Sequence, residues 1–157
     1  MLRIYDDRIF LAELLPVSTE IMLFNSHYHQ VDRAINSMNF PMNMSELVTV
    51  GVYLAGFSRT ARTEEIGEGI RQAGFAFSDH RRLLALGRSH FDLCRRHSIA
   101  ALGSSYTRDF FEQRSMVVVS VSGNVEAQTA PRSNWWHNGW RFLVELSQNQ
   151  NPLSRRH

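Results

Sequence analysis

The sequence predicts an α+β domain: a helical amino-terminal two-thirds of four to five helices, then a small antiparallel sheet of about three strands. Three observations carry that expectation. Ser78–His97, SDHRRLLALGRSHFDLCRRH, repeats apolar residues at three- and four-residue steps, the period of a helix buried on one side. Ile21, Phe24, Tyr28, Val31, Ile35 and Met38 do the same earlier in the chain. Beyond residue 115 the composition turns β-branched, and Gly123-Asn124 is a two-residue hairpin signal.

Taken in order, Ile4 to Leu15 leads to Pro16 as a short strand or a short helix, and its pattern does not decide between them. Ser18 or Thr19 then caps a long helix. Its apolar seam, Ile21, Phe24, Tyr28, Val31 and Ile35, packs either on the domain's own helices or on a second copy as a homodimer. Asn39 to Met44 is a connector around Pro41. Leu47 to Phe57 is apolar nearly all round, which predicts a central buried helix that Gly56 stops. Thr63 opens a further helix, with Glu64 and Glu65 in the first turn favoured for acids and Gly74 just past the end. Phe75 to Ser78 turns the chain into the arginine helix.

On that helix Leu83, Leu86, His90, Leu93, Cys94 and His97 share the inner face, while Arg81, Arg88 and Arg95 lie a heptad apart on the other side, flanked by Arg82 and Arg96. Arg81 and Arg82 stand in the first turn, where the helix dipole opposes positive charge by roughly 0.3–1 kcal/mol each. An anion docked on free N–H groups and two guanidinium groups would offset that penalty, and so would the carboxylate of Asp79. A short helix, a glycine-led turn and a second helix with basic residues at its start are the parts of a helix-turn-helix.

After His97, Ser98 to Ser105 is a helix tail or a short strand, and Tyr106 to Arg114 a connector or short helix. Met116 to Val121 and Val125 to Ala130 form the predicted hairpin. A strict Gly123-Asn124 turn would set Val121 against Glu126, so a bulge or longer loop is expected. Trp140 to Leu146 alternates as a third strand. The reading is one globular domain over residues 1–147, helical over about 18–97 and sheet over about 115–147, with 148–157 a flexible tail.

The composition narrows the function. All seventeen basic residues are arginine, and the formal net charge is only +2. From Arg59 to His97 eight arginines face five acids, so the middle of the chain supplies the positive excess. The lone Cys94 excludes an intramolecular disulfide and a cysteine-built zinc site. Acids stand where a signal peptide would have its apolar segment, and no apolar run is long enough to span a bilayer. A cytoplasmic protein without a membrane partner is expected. His90, Cys94 and His97 share a helical face but have no fourth ligand near them in sequence, so no metal or cofactor is predicted. No nucleophile elbow, carboxylate pair, zinc-binding histidine pair or phosphate loop is present, so no catalytic residue is assigned and an enzyme ranks third.

The expected function is therefore binding, first of nucleic acid or in regulation, through Arg81, Arg82, Arg88, Arg95 and Arg96. Trp135 and Trp136, between Arg132 and Arg141, join the set because stacked rings beside cations suit single-stranded nucleic acid. The alternative is a protein-protein interaction module, a small inhibitor or adaptor, that uses the same arginines and tryptophans as hot spots.

Overall fold

The computed structural model describes residues 2–147. In chain order it contains β1 (Leu2–Leu14), α1 (Thr19–Phe24), β2 (Gln30–Val31), β3 (Val48–Phe57), β4 (Ala61–Arg62), α2 (Thr63–Gln72) and β5 (Phe75–Phe77). Then follow α3 (His80–Ser89), α4 (Phe91–Arg96), β6 (Ser98–Arg108), β7 (Glu112–Val121), β8 (Asn124–Pro131), β9 (Trp135–Trp136) and β10 (Trp140–Leu146). The expected helical two-thirds is overturned: this is a large mixed sheet with short helices on its faces, and the four helices are six to ten residues long.

The eight-stranded sheet runs β1-β3-β10-β6-β7-β8-β2, with β5 also paired to β10. Neighbours are antiparallel except for β10 with β6 and β2 with β8. β10 pairs with β6 at Trp140–Phe142 and with β5 at Val144–Leu146, so β5 enters the sheet where β6 diverges. Backbones approach closely there. Gly103 N–H donates to the Ser78 carbonyl, and a Cβ at Gly103 would lie 2.5 Å from the Phe77 carbonyl oxygen, which leaves room for glycine alone.

One face of the sheet carries α1, α3, α4 and the irregular segment 32–47 over Val52, Leu54, Ile99, Met116, Val118 and Leu143. The other carries α2 and the small β4–β9 pair over Ala55, Ala100, Leu102, Val117, Phe142 and Val144. The inner strands β3, β6, β7 and β10 thus bury residues on both sides, and this explains the corrected reading of Leu47–Phe57. A run that is apolar on every side suits an interior strand as well as an interior helix. Here Val48, Thr49, Val50, Val52 and Tyr53 supply the β-branched and aromatic character that favours the strand.

The predicted long helix after Ser18 also fails. Ser18 does cap α1, accepting from the Ile21 N–H at 3.2 Å, but the helix stops at Phe24. Beyond it, side chains compete for the backbone. Asp32 accepts from the Ala34 N–H, Asn36 from the N–H groups of Met38 and Asn39, and the Glu20 carboxylate from Ser37. The three-and-four spacing is therefore not one seam. Ile35 is in the core, Phe24 is 88% exposed, and no helix carries Ile21, Phe24, Tyr28, Val31 and Ile35 toward a second copy.

Other expectations hold in part. α2 occupies its predicted span, with Gly74 following at φ 88°. The hairpin forms, but its two-residue turn is Ser122-Gly123, at φ 50° and 85°, one position earlier than expected; Val121 faces Asn124 and no bulge is needed. β10 has the predicted bounds but lies at the centre of the sheet, next to β3 and β6. The predicted tail lies outside the described residues. No helix among the described residues is long and apolar enough to cross a membrane.

Candidate functional site

The helix-turn-helix is not formed. Phe75–Phe77 between α2 and α3 is strand β5, hydrogen-bonded to β10, so the two helices are separated by a piece of the sheet. The arginine helix itself is two helices, broken at His90 with φ −134° and ψ 51°. Its N-cap is Asp79, whose carboxylate accepts from the Arg82 N–H at 3.2 Å; the predicted cap Ser78 is buried one position earlier.

Arg81 and Arg82 are consumed at that cap. Arg81 Nε and Nη2 each lie 3.0 Å from Asp79 Oδ2. Arg82 Nη1 lies 3.3 Å from the same oxygen, and its Nε is 3.1 Å from Glu145 Oε2, an ion-pair contact without hydrogen-bond alignment. Burial would push the Asp79 carboxyl up, but Arg82, its amide and Arg81 together hold it below the ordinary carboxylate range. Glu145 responds the other way, raised because desolvation outweighs Arg82. The anomaly of two arginines in a first turn is thus resolved inside the protein, by the carboxylates of Asp79 and Glu145.

The remaining arginines of the set have a different setting. Arg88 and Arg96 line an open cleft of about 450 Å³ together with Arg8, His27 and His90, floored by Phe10, Phe91 and Leu93. The break at His90 makes this cleft by turning α4 away from α3, and β1 closes its third side. His90 Nε2 donates to the Leu11 carbonyl at 2.8 Å, which leaves Nδ1 for another partner. The Arg8 guanidinium lies 5.4 Å from the centre of the Phe10 ring, and the His27 ring meets Phe91 edge-on at 5.7 Å. Among the described side chains one lining carboxylate, Asp92, stands beside these groups, with Glu13 at the margin 3.9 Å from Arg88. Arg95 turns aside, paired to Asp92 at 3.5 Å and laid over Phe91 at 5.1 Å.

Of the two tryptophans, Trp136 is core: it is 1% exposed, and its Nε1 donates to the Thr63 hydroxyl at 2.9 Å. Trp135 faces out, 59% exposed, with the Arg62 guanidinium 5.1 Å from the ring centre. The structure therefore brings together Arg88 and Arg96 but leaves Arg81, Arg82, Trp135 and Trp136 elsewhere. Arg8, His27 and His90 were not assigned from sequence. Arg8 is eighty positions from Arg88 and carries no local signal; only the packing of β1 beside α3 brings it in.

Two further groups bear on chemistry. Cys94 is buried and its thiol is pushed up to about 12, so it stays protonated. His80 is wedged between the Pro41 carbonyl, 2.7 Å from Nε2, and Ser104 Oγ, 2.9 Å from Nδ1. Ser104 Oγ also accepts from the His80 N–H at 2.9 Å, and burial lowers the imidazole below the ordinary histidine range. Among the described residues no three His, Cys, Asp or Glu side chains converge as a metal set. The architecture defines a mixed-sheet α/β protein with an arginine–histidine cleft at the junction of two short helices. No protein-family model, no curated protein and no solved structure matches the chain.

Proposed function

We propose that this chain is a binding protein for nucleic acid and that the cleft between β1, α3 and α4 takes phosphate groups of a single strand. The observation that supports it is the convergence of Arg8, Arg88, Arg96, His27 and His90 on one open cleft beside the Phe10 and Phe91 rings. Guanidinium forks bind phosphate oxygens bidentately, and the half-buried Phe91 adds an apolar wall beside them. A cleft of about 450 Å³ has the scale of a nucleotide and not of a duplex. With the helix-turn-helix gone and the first-turn arginines paired internally, insertion of α3 into a major groove has no support. We place the protein in the cytoplasm, a reading that rests on its single, buried cysteine.

The test is a salt titration of single-stranded oligonucleotide binding. Three phosphate contacts give a slope of log K against log salt of about −2. Arg88→Ala with Arg96→Ala should flatten that slope to about −0.7 and weaken binding at low salt, while Arg81→Ala should leave the slope unchanged. Absence of binding at low salt, or a loss with Arg81→Ala equal to that with the cleft pair, would sink the proposal.

A further inference from the structure

His90 brings to the cleft a group of a different kind from its arginines. Its Nε2 meets the Leu11 carbonyl at 2.8 Å, and its ring stands edge-on to Phe10 at 5.6 Å. A carbonyl oxygen has no proton to give, so Nε2 carries the hydrogen of this contact. A neutral imidazole has one N–H, and with that one spent on β1 the other nitrogen, Nδ1, is a hydrogen-bond acceptor. Among the described residues Nδ1 has no hydrogen-bond partner. The fold thus sets the tautomer, through a backbone group seventy-nine positions away.

Bare phosphate has no use for that acceptor. Arg8, Arg88 and Arg96 only donate, which is what phosphate oxygens require, whereas the Nδ1 lone pair has nothing to offer them. Yet His90 stands at the break between α3 and α4, with Arg88 on one helix and Arg96 on the other. The lining carboxylate, Asp92, is 82% exposed and turned to Arg95, and the Ser89 hydroxyl serves in either role. A ligand that satisfies the whole set therefore carries a donor close beside its phosphates. In a single strand the sugar supplies one only in RNA, whose 2′-hydroxyl adjoins the 3′-phosphate; DNA has a C–H there.

We infer that the cleft takes single-stranded RNA in preference to DNA, His90 Nδ1 accepting from a 2′-hydroxyl while Arg88 and Arg96 hold the adjoining phosphate. This rests on the reading of the cleft as a phosphate site and adds to it the class of strand. His90 is then the residue that sets specificity, and the arginines supply affinity for either strand. The cleft is open to water, so the preference has the size of one net hydrogen bond, roughly threefold to tenfold in affinity.

Binding of an oligouridylate and of the oligodeoxyuridylate of equal length to the full chain tests this, in low salt at about pH 8, above the ordinary histidine range. The base is the same in both, so a difference comes from the sugar. The RNA should bind roughly threefold to tenfold more tightly. A 2′-fluoro strand, which keeps an RNA-like sugar pucker but cannot donate, should bind like the DNA. His90→Phe should abolish the preference. His90→Gln, whose amide can donate to Leu11 and still present an acceptor oxygen, should retain it. Equal binding of RNA and DNA overturns the inference and leaves the phosphate reading standing, as does a preference that survives His90→Phe or extends to the 2′-fluoro strand. A 5′-phosphorylated oligodeoxyuridylate that binds as tightly as the RNA also overturns it, because a terminal P–OH is then the donor. Failure of every strand to bind at low salt overturns the phosphate reading and this inference together.

Discussion

Tyr28 shows what a single polar atom does in this core. Its ring packs against Phe91 at 5.8 Å, and its hydroxyl is buried with no hydrogen-bond partner. Desolvation pushes that hydroxyl well above the ordinary tyrosine range, so it stays protonated and unsatisfied. An unpaired buried hydroxyl costs about 1–3 kcal/mol. Tyr28→Phe should therefore raise the unfolding free energy by about 1 kcal/mol in urea titration, and a loss instead would show that the hydroxyl has a partner. His80 makes a second case. Burial lowers its folded pKa below the ordinary histidine value, outweighing the help of the Pro41 carbonyl and Asp79. Protons then bind the unfolded chain more tightly than the folded one, so stability falls as pH drops through the unfolded value of about 6.5. Urea midpoints should decline between about pH 7.5 and about pH 5.5, and His80→Gln should flatten that decline. The Asp79 carboxyl, held low, loses its contribution only at more acidic pH, as the medium falls through its depressed value.

Among the elements, legibility in the sequence followed from whether a local signal had competitors. α2 was legible because acids in its first turn, an apolar line and a terminal glycine all agree. The inner face of α3 was legible from Leu83 and Leu86, both fully buried. β3 was not: an all-apolar run is common to interior helices and interior strands, and only the presence of β1 and β10 on either side selects the strand. The β7–β8 turn was found one residue off because Gly123 serves a type I′ turn equally well as its first or its second central residue. The structure uses it second, after Ser122. Asn-Gly is the preferred pair for such a turn, so Ser122→Asn should stabilise the protein by about 0.5 kcal/mol. Thermal unfolding measures this, and a decrease would argue against the turn as described. The cleft was half legible: Arg88 and Arg96 stood out as helical arginines, whereas Arg8, His27 and His90 gain meaning only from the break between α3 and α4 and from the approach of β1.

For the whole molecule the decisive feature is β10. The last strand lies between β3 and β6, so the sheet cannot close until nearly the entire described chain is available. A helical amino-terminal part with its own core would survive removal of residues 140–157; this fold should not. Truncation after Gly139 strips Phe142, Leu143 and Val144 from both cores at once. The truncated chain should lose cooperative unfolding by circular dichroism, and retention of a sharp transition would contradict the central placement.

By itself the sequence determined what depends on neighbours within a turn or two: the α2 span, the apolar side of α3, the β7–β8 hairpin, the bounds of β10, and a chain whose cations are all arginine. Only the tertiary structure decided which apolar runs are strands, that β5 separates α2 from α3, that Glu145 joins Asp79 in holding Arg82, and that Arg8 meets Arg88 and Arg96. The reason is physical. Periodicity and capping act over a few residues, whereas sheet partners, ion pairs and clefts depend on contacts between segments whose separation along the chain leaves no mark on either one.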